Sequence, residues 1–477
     1  VVRRVHGARR KIKKKTEEKH YSGGEPISLK PSRYNYFVQY ADQFLLFNTH
    51  TDALALVDSD MKGVFDHFDE SVAPSLSEEE LAIMKSKGFL IDEKVNEIDQ
   101  VQFRYNNFII NNYNSLVELT LIMTYACNLG CTYCYEKDLQ VARSMDSSVI
   151  QKVKTYIEKQ AIGEAFKKKI NLVFYGGEPL LNWKGCQSFL TFLDECHQQS
   201  GNDYETRLVT NGTLLTDEVL HEFLNHNCVV LQLTLDGCKE DHNQRRKTRK
   251  GEGTYDTILK WISRVYDIRK EIVHIRVNVD NTNYRNLPLL FDDLAERGLT
   301  DVSLYFGIIH EFTRSCKTGD TGYFDLKNMQ VTLPDLWYLA FSRGLSVKSR
   351  PTTTPVYCMF DLHHAFVIDP YADFYNCWNT VGIKDFSIGT LDEKGDFTPN
   401  SNYFEYMSRD PTHFEECRNC SMLPVCMGGC AFVGYKLHDT FHSSGCGEFK
   451  ELMGERLRWY VEREYSDLKK GEHREIF

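Results

Sequence analysis

The chain has 477 residues, 42% hydrophobic and 26% charged, the proportions of a soluble globular protein with two or three cores. Its formal net charge of -10 tells against a general nucleic-acid binder, whose affinity draws on clustered Lys and Arg. No run approaches the roughly 18 apolar residues of a membrane span, and the start lacks the apolar region of a secretory signal, so no membrane partner and a cytoplasmic location are expected.

The first segment is basic, with Arg3, Arg4, Arg9, Arg10, Lys11, Lys13, Lys14 and Lys15, and residues 1–30 are expected to form a solvated, flexible tail. A small unit follows at about 31–92. YNYFVQYA, QFLLFNT and ALALVD read as short strands, with NTHTD as a turn between the second and third. SDMKGVFDHFD and SEEELAIMKSKG have helical spacing, and Ser77 with Glu80 makes a capping box. GFLID closes the unit, and a polar connector runs on to residue 112.

From VELTLIMTYA onward, strands at 116–123, 170–174, 206–210, 229–235, 273–279 and 302–306 alternate with amphipathic helices. Six such repeats over 113–347 imply an α/β fold with a parallel sheet, open or curled into a partial (β/α)6 TIM-like barrel that binds ligands at the C-terminal strand ends. Between 348 and 450 the periodicity fades into Cys, Gly and aromatic residues, the texture of a region organised around metal. GEFKELMGERLRWYVEREY, at the start of a last segment placed at 451–477, is expected to be a helix packed back on the body.

Fifteen cysteines exceed what a reduced cytosolic protein needs for packing. Cys186, Cys196, Cys228, Cys238 and Cys316 are scattered and read as core residues. Cys127, Cys131 and Cys134, in TYACNLGCTYCYEK, have the spacing Cys-x3-Cys-x2-Cys directly after the first barrel strand. Three thiolates on one loop can hold three irons of a 4Fe–4S cluster and leave the fourth open. A zinc site needs a fourth ligand, and none follows at suitable spacing.

This motif resembles the signature of the radical S-adenosylmethionine (SAM) superfamily. The resemblance implies that SAM chelates the open iron and is cleaved to a 5'-deoxyadenosyl radical. Tyr133 lies within the motif. YGGEP, with Gly176, Gly177, Glu178 and Pro179, looks like the element that binds the methionine amino group. Thr210 and Asn211 in TNGT, and Thr234 and Asp236 in TLDG, look like ribose and carboxylate contacts, with Arg246 and Asn278 as further candidates.

Cys417, Cys420, Cys426 and Cys430, preceded by Cys358 and Cys377 and followed by Cys446, resemble the SPASM domain of radical enzymes that modify peptides. The resemblance implies two auxiliary 4Fe–4S clusters, three in all. Cys417, Cys420, Cys426 and Cys446 would hold one. Cys358, Cys377 and Cys430 would hold the other, with one iron open unless His363, His364 or Cys316 fills it. The family usually has Gly where this chain has Ala372, which puts the shape of that turn in doubt.

The N-terminal unit resembles the winged-helix-like PqqD or RRE module that captures the leader of a ribosomally made precursor peptide on a sheet edge. Together these resemblances imply a maturase that installs thioether cross-links from a Cys sulfur to a carbon, with a flavodoxin or ferredoxin as electron donor. The alternatives are a sulfatase-type maturase that forms formylglycine and a non-enzymatic zinc-binding protein. No catalytic residue is assigned; Asp236, Glu178 and His310 are unranked candidates for a general base.

Overall fold

A computed structural model of the chain describes residues 4–5, 28–68, 76–134, 136, 139, 143–162, 167–309, 326–347, 351–446 and 448–464. The first unit comprises β1 (Arg4–Val5), β2 (Leu29–Pro31), β3 (Asn35–Tyr40), β4 (Gln43–Asn48), β5 (Leu54–Val57), α1 (Ser59–Asp66), α2 (Glu78–Ser86) and β6 (Leu90–Asp92). β3, β4 and β5 form an antiparallel meander, and β2 pairs with β6. Met61 and Phe65 of α1 and Met84 of α2 pack on Leu46 and Val57. The capping box forms as read: Ser77 Oγ accepts from the Glu80 N–H at 3.2 Å, and Glu80 Oε2 from the Ser77 N–H at 2.7 Å. Two residues depart from the expected tail. Arg4 and Val5 pair in parallel with Leu56 and Val57, so the β5 edge is not left with unpaired backbone groups.

The connector is also more ordered than its polarity suggests. It is the helix α3 (Glu97–Ser115), which buries Ile98, Val101, Tyr105 and Ile109 along one face. Its Asn- and Gln-rich outer face hides that periodicity in the sequence.

The alternating region follows in order: β7 (Leu116–Thr124), α4 (Ser147–Ala161), β8 (Lys169–Gly176), α5 (Trp183–Ser200), β9 (Tyr204–Val209), α6 (Asp217–Asn225), β10 (Cys228–Thr234), α7 (Lys239–Arg245), α8 (Tyr255–Arg269), β11 (Val273–Val279), α9 (Leu287–Glu296), β12 (Ser303–Ile308), α10 (Leu326–Ser342) and β13 (Ser346–Val347). Every adjacent pair from β7 to β13 is parallel, so all these C-terminal strand ends face one way. β11 shows the logic of the sheet. Val273, Ile275, Val277 and Val279 are buried, while His274, Arg276 and Asn278 on the other face are half-buried.

The cysteine-rich region is not a separate layer. β14 (Ala365–Ile368) pairs in parallel with β7, and β15 (Asp373–Tyr375), β16 (Gly389–Leu391) and β17 (Phe397–Pro399) continue antiparallel. Among the described residues one eleven-stranded sheet thus crosses the expected boundary at 347/348. Ala372 takes φ 65°, so the turn keeps the left-handed shape that favours Gly. Short helices α11 (Ser401–Met407), α12 (Glu415–Arg418), α13 (Leu423–Cys426) and α14 (Ala431–His438) follow.

α15 (Glu448–Glu464) closes the molecule. Its Trp459 packs edge-on against Tyr338 and Phe341 of α10, and Met453, Leu457 and Val461 pack on Val38 and Leu45 of the first unit. No described helix is long and apolar enough to cross a membrane.

Candidate functional site

The loop carrying Cys127, Cys131 and Cys134 leaves the C-terminal end of β7 and is pinned on both sides. Gly177 N–H and Glu178 N–H donate to the carbonyls of Thr124 and Ala126, each at 2.9 Å. The approach admits only glycine: a Cβ on Gly177 would lie 2.4 Å from the Ala126 carbonyl oxygen, and one on Gly176 equally close to that of Thr124. On the other side Gly130 and Thr132 donate to the carbonyls of Lys247 and Arg245, and Arg249 Nε donates to that of Cys127 at 2.9 Å.

Burial pushes the Cys127 thiol up to about 11 and the Cys134 thiol up to about 12, and raises that of Cys131. Such thiols keep their protons until a metal displaces them. Among the described residues no three His, Cys, Asp or Glu side chains converge on a point that one ion could occupy.

The thiols open onto a cavity of about 430 Å³ at the strand ends. Eight of the expected SAM-contacting residues line it: Tyr133, Gly176, Gly177 and Thr210, with Asn211, Thr234, Arg246 and Asn278. Glu178, Pro179 and Asp236 stand behind the wall. Glu178 is fully buried; its Oε1 accepts from Thr210 Oγ1 at 2.7 Å and Leu180 N–H at 3.1 Å, and its Oε2 from Asn211 N–H at 2.8 Å. Burial raises its pKa against those bonds. It latches the end of β8 to the end of β9, and Pro179 opens the short turn that follows.

Asp236 is equally occupied. It accepts from the Tyr133 hydroxyl and from Asn278 N–H at 2.9 Å, while Arg246 Nη1 and Asn278 Nδ2 reach the same hydroxyl at 2.7 and 3.1 Å. For Arg246, burial would lower the pKa, but Cys131, Tyr133 and Asp236 outweigh it and raise it further. Both Glu178 and Asp236 are thus engaged in hydrogen bonds that hold the strand ends together; His310 and Cys316 lie outside the described residues.

Sequence reasoning missed His242, buried beneath this network. Its Nδ1 accepts from Asp236 N–H at 3.2 Å, Nε2–H donates to Thr254 Oγ1 at 3.0 Å, and Thr254 donates on to the Arg246 carbonyl at 2.7 Å. Only the neutral ring satisfies all three. Burial, and then Arg246 and Arg245, push its pKa down to about 3. Arg276, Gln232, Trp378 and Asn379 also line the cavity unforeseen. For Arg276 the signal was present, since it shares strand parity with Asn278.

Burial raises the Cys417 and Cys426 thiols, and nearby Cys446 and Cys420 raise both further; burial likewise raises those of Cys358 and Cys377, and nearby Cys430 adds to both. Cys430 lines the same cavity as Cys127, Cys131 and Cys134. Neither histidine offered as a supplementary ligand is placed for it. His363 Nε2 is bonded to the Met407 carbonyl at 3.0 Å, and His364 sits beside Glu118 at the opposite end of β7.

Between the two sets lies a fully buried ion pair, Arg409 Nη1 to Asp361 Oδ1 at 2.5 Å. Arg409 Nε and Nη2 also donate to the carbonyls of Phe441 and Ser443. Burial outweighs this partner and raises the Asp361 pKa.

Residues 121–294 match the radical SAM superfamily. The chain is 29% identical over 335 residues to a cysteine-type anaerobic sulfatase-maturating enzyme of Clostridium perfringens, covering 64% of this chain and 85% of that one. It is 22% identical over 417 residues to the radical SAM cyclopropyl synthase TigE of Paramaledivibacter caminithermalis, covering 79% and 81%. Among solved structures, native anSMEcpe with bound AdoMet and Cp18Cys peptide superposes with a TM-score of 0.56 at 20% identity, over 75% of this chain and 99% of that one. Streptococcus suis SuiB bound to precursor peptide SuiA superposes at 0.51 and 14% identity, over 87% and 98%. The pinned three-cysteine loop, its cavity at the strand ends and these similarities together identify the protein as a maturase-like enzyme carrying a radical SAM domain.

Proposed function

We propose that the protein is a radical SAM peptide maturase that joins a Cys sulfur to a carbon of the same ribosomally made peptide. When bound at Cys127, Cys131 and Cys134, a 4Fe–4S cluster with SAM supplies a 5'-deoxyadenosyl radical at the cavity wall. The chain's own residues hold and enclose that chemistry. Gly176 and Gly177 let the backbone close over the cysteine loop, Thr210, Thr234 and Asn278 present polar groups to the nucleoside, and Arg246 presents charge to the carboxylate. Trp378, Phe432 and Val433 form an apolar wall that excludes water.

The observation that carries the reading is that Cys430, from the C-terminal set, opens onto the cavity that the first three cysteines line. Forming a thioether removes two protons and two electrons from the peptide: the deoxyadenosyl radical takes one of each as a hydrogen atom, and a second redox centre beside the site would take the remaining electron. The similarity to sulfatase-maturating enzymes favours formylglycine formation as the second reading.

The deciding experiment is mass spectrometry of a co-expressed Cys-containing partner peptide, with deoxyadenosine measured in parallel. Loss of two hydrogens together with one alkylatable thiol supports the cross-link; an aldehyde on the former Cys supports the second reading. A reconstituted, reduced sample that cleaves no SAM removes both.

A further inference from the structure

We infer that Arg276 selects the substrate by holding a carboxylate of the peptide in the cavity, an assignment that rests on the peptide-maturase reading above. Arg276 faces the barrel lumen on β11, two residues before Asn278 and so about 6–7 Å deeper than the SAM-facing layer. A carboxylate bound there belongs to a molecule that reaches past the cosubstrate into the lumen.

The guanidinium is both prepared and unused. It lies flat across β12 at Gly307, where a Cβ would sit only 2.0 Å from Nη2 and 2.2 Å from Nε, so any other residue would displace it. Its Nε donates to Asn278 Oδ1 at 3.2 Å, and its two Nη groups find no acceptor among the described residues.

Neighbouring arginines are different. Arg207 lies 3.6 Å from both Glu118 and Glu205, Arg245 is 2.8 Å from Asp280, and Arg246 is bonded to Tyr133. Of the two arginines that line the cavity, Arg246 has Asp236 within 3.9 Å, and Arg276 is left without a carboxylate partner among the described residues. A partly dehydrated guanidinium with two parallel N–H groups free matches a carboxylate in bidentate geometry. The Gln232 amide, also on the cavity wall, supplies a further polar group for orientation. The carboxylate comes from an Asp or Glu side chain near the modified residue or from the peptide's C-terminus.

The test uses reconstituted, full-length protein and an equimolar library of synthetic octapeptides. Each peptide contains one Cys and one variable residue and has an amidated C-terminus; a second arm carries free C-termini and Gly at the variable position. Capture without reductant and modification with reductant are both read by mass spectrometry. Scoring each as a ratio within one protein makes it independent of how much overall activity a variant retains.

Wild type is expected to favour Asp or Glu over Asn or Gln, or the free over the amidated terminus, by about 10- to 100-fold. R276Q brings that ratio close to one, and R276K retains part of it. A wild-type ratio near one in both arms, whether every peptide is captured or none, overturns the assignment. So does an R276Q protein that keeps the ratio and instead loses affinity for SAM, because the guanidinium then serves the cosubstrate. Failure of the underlying reading is separate: wild type would then form no deoxyadenosine at all.

Discussion

His242 lies below the cavity wall, and its neutral ring bridges Asp236 and Thr254. An unfolded histidine takes up a proton near pH 6.5, whereas in the folded chain burial holds the value down to about 3. A depressed value means that stability is fully present above the unfolded pKa and is lost as pH falls toward the folded one. The free energy of unfolding should therefore drop by about 1 kcal/mol from this residue alone between pH 6.5 and 5.5. Urea titrations of wild type and H242Q at the two pH values test this: the variant should lack that increment. Arg409 tests a second kind of burial. R409M leaves the Asp361 carboxylate enclosed without its cation and should cost about 3–5 kcal/mol in urea unfolding, much of it regained in R409M/D361L. Ala372 makes the opposite prediction. At φ 65° an L side chain is strained, so A372G should raise stability by about 1 kcal/mol. His242 and Arg409 were illegible in the sequence because their importance comes from distant carbonyls and acids that only the fold brings near.

At the scale of elements, the alternating strands were legible because short runs rich in apolar and β-branched residues recur between amphipathic helices. All six predicted strands appear within a few residues of their expected ends. α3 was illegible, since its single buried stripe is diluted by Asn and Gln, and β1 was illegible because two residues carry no pattern. The cysteine loop depends on how close β8 approaches it, and that closeness is testable. Adding a methyl at Gly177 would drive it into the Ala126 carbonyl, a backbone atom that can yield only by moving the loop. G177A should retain its overall secondary structure by circular dichroism and lose the deoxyadenosine product. Iron per chain should fall by about four if only the first cluster is lost.

For the molecule as a whole, the number of iron centres is the quantity most open to measurement. Three 4Fe–4S clusters predict about twelve irons per chain and absorbance near about 400 nm. Replacing Cys420 and Cys426 together with Ala should remove about four irons and leave the other two centres. Loss of all iron would mean that the C-terminal sets do not assemble independently. The cysteine spacings made this arithmetic possible from sequence. That the sets would share one sheet with the barrel was not legible, because β14 to β17 are three- and four-residue strands with no period to recognise.

The shared sheet has a mechanical consequence. Backbone hydrogen bonds link β7, which launches the first cysteine loop, directly to β14 and its hairpin, which lead to Cys377. A hinge between these sulfur sites would require those strands to separate, so if both hold clusters, as proposed, the gap between them would stay constant from one turnover to the next. On the proposed function, movement that admits and releases a peptide would fall to parts outside that ladder.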